Sequence, residues 1–134
     1  MIFVDTSFWV ALRIRRDHHN TEAASLLEDV EGSHLVTTNH VRGETWTFLR
    51  KRVGHGSAVA CLRAIEDSPR LDVVHVPETM ELDALRWLRR HDERRYSFVD
   101  ATSFTLMRSM KIKDALAFDG DFSAAGFREL RPKG

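Results

Sequence analysis

Short apolar runs alternate with stretches of helical spacing from one end of the chain to the other. Ile2-Phe3-Val4 is unbroken and runs into Asp5-Thr6-Ser7, residues that favour a helix N-cap, so a buried strand should feed a helix through Phe8, Trp9 and Leu12. Asn20-Thr21 is expected to cap a second helix, with Ala23, Ala24, Leu27 and Val30 on its inner face and Gly32 closing it. A second strand is expected at His34 to Thr37, then a helix capped by Asn39 and reaching Val53, then another from Gly56-Ser57 to about Asp67. Leu71 to Val76 reads as a third strand. Pro77 should start a helix that carries Glu78, Glu81 and Asp83 early and Arg86, Arg89, Arg90 and His91 late, the order the helix dipole prefers. Ser97 should cap a further helix through Met110. Ala115 to Phe118 then gives a fourth strand, Asp119-Gly120-Asp121 a turn, and Phe127 to Leu130 a short fifth strand. Strands that alternate with helices imply right-handed crossovers, and hence an α/β fold: a parallel sheet of four to five strands with helices on both faces. At 134 residues, with no repeat or linker, one domain over residues 1–134 is expected.

Composition narrows the class. Apolar residues are 43% of the chain and charged ones 30%, which suits a packed core and not a disordered chain. The longest stretches without Asp, Glu, Lys or Arg, Gly32 to Val41 and Val53 to Leu62, have ten residues each, half the roughly 20 that a membrane-spanning helix requires. No basic stretch precedes Ile2-Phe3-Val4, so no secretory leader is expected, and the lone Cys61 sits in an apolar run as a buried, inert thiol. Together these point to a reducing cytoplasm. Lys and Arg number 20, as do Asp and Glu, and a net charge of zero argues, taken as a sum, against a nucleic-acid binder.

The placing of the acids changes that sum. Ligands of open parallel sheets bind beyond the carboxyl ends of the strands. Asp5 follows the first strand, Asp119 the fourth with Asp121 two residues on, and Glu44 and Asp100 lie in the early turns of two helices. Asp5 alone could be a helix cap, Asp100 half of a capping box with Ser97, and Asp119-Gly120 an ordinary turn. Glu44 is harder to dismiss, because its spacing sets it between Val41 and Phe48 on a face expected to meet the core. Carboxylates gathered in one crevice repel one another unless a cation neutralises them. An all-oxygen donor set without Cys or paired His selects a hard ion, Mg²⁺ or Mn²⁺, and such an ion completes its shell with water and phosphate oxygens.

The segments Ile2-Phe3-Val4-Asp5-Thr6-Ser7, Gly43-Glu44, Ser97-Phe98-Val99-Asp100-Ala101 and Ala117-Phe118-Asp119-Gly120-Asp121-Phe122 together resemble, in order and spacing, the PIN domain. Within it they resemble the VapC-type ribonuclease toxins of toxin–antitoxin pairs. The resemblance implies a metal-dependent endoribonuclease acting on tRNA or ribosomal RNA, with Asp5, Glu44, Asp100 and Asp119 as the acidic quartet, Asp121 as an additional ligand and Thr6 or Ser7 orienting Asp5. It further implies a VapB-type antitoxin and a homodimer, with the apolar helix faces at Trp9 and Leu12, or Trp46 and Leu49, serving either interface or core. The alternative is a PIN-like module that binds RNA or protein without cutting. A phosphatase of the haloacid dehalogenase type is disfavoured by Ser7, where a second Asp is required, and a receiver domain by the lack of paired acids after the first strand.

Guidance of RNA is expected from Arg13, Arg15 and Arg16, from Arg50, Lys51 and Arg52, and from Arg86, Arg89, Arg90, Arg94 and Arg95 with Trp87 and Tyr96 interleaved. The alternative for each group is a solvated helix face. If Asp5, Glu44, Asp100, Asp119 and Asp121 surround a cation, the periphery keeps 20 basic residues against 15 acidic ones. The zero balance then describes an acidic centre within a basic rim.

Overall fold

The computed structural model describes residues 1–133 as a five-stranded, wholly parallel sheet with seven helices. The strands are β1 (Ile2–Val4), β2 (Leu35–Thr38), β3 (Leu71–Val74), β4 (Asp114–Leu116) and β5 (Arg128–Glu129). The helices are α1 (Thr6–Arg13), α2 (Asn20–Asp29), α3 (Asn39–Arg52), α4 (His55–Asp67), α5 (Glu78–Arg90), α6 (Phe98–Met110) and α7 (Asp121–Ala124). Strand order is β3-β2-β1-β4-β5, with Ile2 paired to Leu35 on one side and to Asp114 on the other. The chain therefore steps outward from β1 to β3 and then returns to the opposite side of β1. Right-handed crossovers put α1 to α4 on one face and α5 and α6 on the other. The reversal leaves a crevice beyond the carboxyl ends of β1 and β4.

Each strand of the centre is continuous apolar sequence because helices cover both faces: Ile2, Phe3 and Val4 are all buried, as are Leu35 and Val36. Phe104 of α6 is the hub of the second layer. Its ring meets Trp87 of α5, Tyr96, Phe122 of α7 and Phe127 at centroid distances of 4.9 to 5.7 Å, and Phe122 stacks in turn on Phe3 at 5.9 Å. Trp9 and Leu49 belong to this core, with Leu12 and Trp46 packed against it, so these residues are used in packing. Cys61 is a buried free thiol whose pKa burial pushes up, as its sequence context implies. Among the described residues no helix is long and apolar enough to cross a membrane.

Several boundaries differ from the sequence expectation, each for a local reason. The second helix has His19 at its N-cap without a side-chain bond, because the Asn20 amide is spent donating to the carbonyls of Ala11 and Leu12 at 2.9 and 3.3 Å. Its inner face is Ala23, Leu26 and Val30, with Ala24 exposed and Leu27 only half-buried. Strand β2 begins after His34, whose imidazole pairs with Asp72 at the surface, and extends to Thr38. Thr38, not Asn39, caps α3 by accepting the Val41 N–H at 3.0 Å, while the Asn39 carbonyl oxygen accepts the Val76 N–H at 2.8 Å and so ends β3 early. Pro77 is the N-cap of α5 and not its first turn, and α4 starts at His55 after Gly54. The fourth strand starts one residue earlier and ends two residues earlier than predicted, so Ala117 and Phe118 form a loop ahead of Asp119, and the expected turn continues into α7. The last strand keeps only Arg128 and Glu129.

Phe104→Ala should lower unfolding free energy by about 3–5 kcal/mol, since it empties the centre of an aromatic cluster. Urea denaturation checks this, and a loss under about 1 kcal/mol would mean that the cluster is not what joins α6 to the sheet.

Candidate active site

Asp5 is held where β1 turns into α1. It is 2% exposed, its backbone N–H donates to the Leu116 carbonyl of β4 at 3.1 Å, and as the N-cap of α1 its carboxylate accepts the Ser7 N–H at 3.1 Å and the Ser7 hydroxyl at 2.7 Å. The Ser7 oxygen also accepts the Phe118 N–H at 3.0 Å, so one hydroxyl ties the first acid to the loop that carries the last. Thr6 borders the same cavity but makes no bond to Asp5, its hydroxyl accepting instead from the Thr45 hydroxyl of α3 at 3.4 Å. Ser7, of the two candidates, is the residue that orients Asp5.

Asp100 enters from α6 through a complete capping box: its carboxylate accepts the Ser97 N–H at 3.0 Å, and the Ser97 hydroxyl accepts the Asp100 N–H at 2.9 Å. The geometry that caps α6 therefore also fixes where this carboxylate sits. Asp119 and Asp121 stand on the loop after β4, where the Asp119 carboxylate accepts the Asp121 N–H at 3.1 Å. The carboxylates of Asp100, Asp119 and Asp121 each bring an oxygen within 4.8 Å of the other two. Asp5 and Asp119 are close enough to repel, and together with Ser7, Glu44 and Asp100 they line one cavity of about 440 Å³. Glu44 faces this cavity half-buried; the core side of α3 is Val41, Thr45 and Leu49, so Glu44 lies beside the buried stripe and not on it, correcting the expectation from spacing.

The electrostatics record the crowding. Burial first, and then the charge of Asp119, raise the Asp5 pKa from 3.8 to about 8 against the lowering effect of the Ser7 bonds. Burial raises Asp100 to about 7, with Asp119 and Asp121 adding to it and the Ser97 N–H opposing. Asp119 keeps part of its surface in water, yet desolvation on its inner side and the charges of Asp121 and Glu129 raise it to about 6. An all-carboxylate set strained in this way fits a hard divalent cation, which oxygen donors suit and whose charge removes the repulsion.

Residues without a sequence motif complete the site. Glu129, its side chain only 3% exposed, accepts the Gly120 and Ser123 N–H groups at 3.2 and 3.0 Å and braces the Asp119 loop from below. Arg131 donates to the Ala117 carbonyl at 2.9 Å and lies over the Phe118 ring at 5.0 Å. Arg94 donates its Nε to Asp121 at 2.9 Å and an Nη to the Asp119 carbonyl at 3.2 Å. Gly120, at φ +82°, permits this approach, since a Cβ there would stand 3.2 Å from the Arg94 Nη2. On the opposite wall are Asp17, His18 and His19, with the His19 ring stacked on Phe118 at 4.4 Å. Their spacing matches no ligand pattern, and only the fold brings them here.

The basic groups divide. Arg13 donates to the Ala60 carbonyl at 3.0 Å and joins α1 to α4, a structural use the sequence did not suggest. Arg86 pairs with Asp83 one turn earlier. Lys51 lines a groove with Glu44, Phe48 and Phe98, and Arg52 lies over the Phe48 ring at 5.2 Å. Arg15, Arg16, Arg50, Arg90 and Arg95 are exposed.

The sequence profile of the PIN domain matches residues 2–128. The chain belongs to the PIN-domain family. This PIN domain is 54% identical over 133 residues to the 23S rRNA-specific endonuclease VapC20 of Mycobacterium tuberculosis, in strains CDC 1551 / Oshkosh and H37Rv, a match covering 99% of this chain and 100% of the relative. The crystal structure of M. tuberculosis VapC20, a sarcin–ricin loop cleaving toxin, superposes with a TM-score of 0.88 at 52% identity, covering 98% of this chain and 100% of that one. The PIN domain here is accordingly a VapC-type endoribonuclease, a hydrolase acting on RNA.

All three raised acids hold protons in the folded protein that the unfolded chain releases near pH 4, so between about pH 4 and 8 stability falls as pH rises. In chelator, the melting temperature should therefore decline from pH 5 to pH 8. Asp5→Asn should flatten that decline and raise the melting temperature at pH 8 by about 5 °C or more, because Asn caps a helix as well as Asp and carries no buried charge. A melting temperature that climbs over this range in chelator would contradict the crowded, desolvated site.

Proposed function

We propose that this chain cleaves the sarcin–ricin loop of large-subunit ribosomal RNA, with Asp5, Glu44, Asp100 and Asp119 as its working acids. The observation that carries the reading is the meeting of buried Asp5 and Asp100 with Asp119 in one cavity at the carboxyl end of the sheet, on a chain 54% identical to a ribosomal RNA endonuclease throughout its length. The target is the one printed for the relative, and the near-complete coverage supports its transfer.

Asp5, Asp100 and Asp119 would hold Mg²⁺ or Mn²⁺, with Asp121 sharing its carboxylate between that cluster and Arg94. When bound, such an ion acidifies water and offsets charge on the phosphate. Ser7 keeps the Asp5 carboxylate turned into the cavity, and Ser97 does the same for Asp100. Glu44, on the facing wall, has no hydrogen-bond partner among the described residues and is our assignment for accepting a proton from the incoming water. Hydrolysis would leave a 5′-phosphate and a 3′-hydroxyl. A VapB-type antitoxin and a second copy of the chain are the partners this reading brings, with the cytoplasm as the place of action.

Mapping RNA 5′ ends in cells that express the wild type or Asp5→Asn tests activity and target together. One new 5′ end in the sarcin–ricin loop, absent with Asp5→Asn and with Asp100→Asn, is the expected result; ends confined to tRNA, or none, would overturn the target. Ser7→Ala should slow cleavage about 10–100-fold, the usual cost of losing a hydrogen bond that orients a metal-binding carboxylate.

A further inference from the structure

The groove between α5 and α6 holds a second cavity, of about 580 Å³, whose lining includes Arg86, Arg90, Arg108, Thr105, Ser109 and one acid, Asp83; the Thr105 hydroxyl donates to the Ala101 carbonyl. Asp83 is already paired with Arg86. Arg90 and Arg108 have no carboxylate partner among the described residues, although both face the same cavity. Arg108 is fixed in place by aromatic rings, its guanidinium lying 5.5 Å over Trp87 and 5.9 Å over Phe127. Desolvation and then the charge of Arg90 hold its pKa below the ordinary value, so the two cations sense each other. Like charges held together across a polar cavity call for an anion, and guanidinium forks match the oxygens of a phosphate.

The position of the cavity identifies the source of that phosphate. Asp100 and Arg108 stand on the same helix, eight residues and so about 12 Å apart along its axis. The connection between α5 and α6 carries Arg94, bonded to Asp121, and the exposed Arg95, with Asp92 and Glu93 between these and Arg90, and Glu93 paired to His91, so basic side chains outnumber acids between the acidic centre and the cavity. We propose that the Arg90–Arg108 cavity is a second phosphate subsite that grips the RNA backbone to one side of the cleaved bond. This rests on the ribonuclease reading above.

The test measures binding, not turnover. In the Asp5→Asn background, Arg90→Ala with Arg108→Ala should weaken affinity for an RNA bearing the sarcin–ricin loop about tenfold at 0.1 M salt. It should also make the salt dependence shallower by about 1.4 to 1.8, the share of two phosphate contacts. Arg63→Ala together with Lys133→Ala, removing the same charge at exposed positions elsewhere, should change affinity less than threefold. Lys at both positions should restore most of the salt slope but not all the affinity, since it keeps the charge and loses the fork. Equal losses in the two double Ala variants, or an unchanged salt slope with the cavity variant, overturn the subsite. If the cavity double variant does not fold by circular dichroism, Arg90→Ala alone carries the comparison, with half the change in slope expected. Should the wild type leave the RNA uncut, the ribonuclease reading fails separately, while the binding series still decides the subsite.

Discussion

Repulsion among desolvated carboxylates is the interaction around which this molecule is arranged. Asp5 and Asp100 are buried, Asp119 stands against both, and burial and mutual charge lift their pKa values to about 8, 7 and 6. A fold with stability as its only requirement would not collect such groups at one end of its sheet, because each raised acid costs folding free energy at neutral pH. The arrangement is reasonable only if something positive is recruited to it, and the donor set determines what that is: oxygen atoms alone, without thiolate or paired imidazole, suit a hard divalent cation.

The scaffold meets this cost through the backbone. Asp5 caps α1 and Asp100 sits in the first turn of α6, so the positive ends of two helix dipoles face the cluster. Each acid also accepts a main-chain N–H, from Ser7, Ser97 or Asp121, and these bonds pull the pKa values back down. The parallel topology makes this possible. Because every strand points the same way, the carboxyl ends of β1 and β4 and the N-termini of the helices that follow or precede them gather on one edge. Phe104 supports the same geometry from the other layer, fixing α6 against Phe122 and thereby the distance between Asp100 and the Asp119 loop.

Much of this was legible in the residues, and the exceptions have identifiable causes. The apolar run before Asp5 and the Ser97–Asp100 box are local signatures, and the structure uses both where the sequence places them. Strand ends were less legible because side chains compete for the backbone there: Asn39 takes the Val76 N–H, Ser7 takes the Phe118 N–H, and the ladder stops early at both places. Glu44 was noticed through an argument about burial that the structure revises, since the residue borders the core and opens to the cavity. Glu129, Arg131 and the Asp17-His18-His19 wall carry no motif. Their roles arise only when residues distant in sequence are folded together, as Arg131 is with Ala117, 14 positions away, and His19 with Phe118, 99 positions away.

The same separation of scales resolves the balance of charge. A chain with equal numbers of acids and bases can still present a field, provided the two signs differ in burial. Here Asp5 and Asp100 are buried, while Arg15, Arg16, Arg50, Lys51, Arg90 and Arg95 stand exposed, so the outward face of the molecule is more basic than its total. By charge alone, the enclosed acids would repel phosphate unless a cation joined them, and the exposed cations would attract it from a distance. On the function proposed above, binding of RNA and loading of the metal would thereby be coupled by electrostatics, because the same carboxylates that would hold the ion are the charges that would otherwise turn the phosphate away.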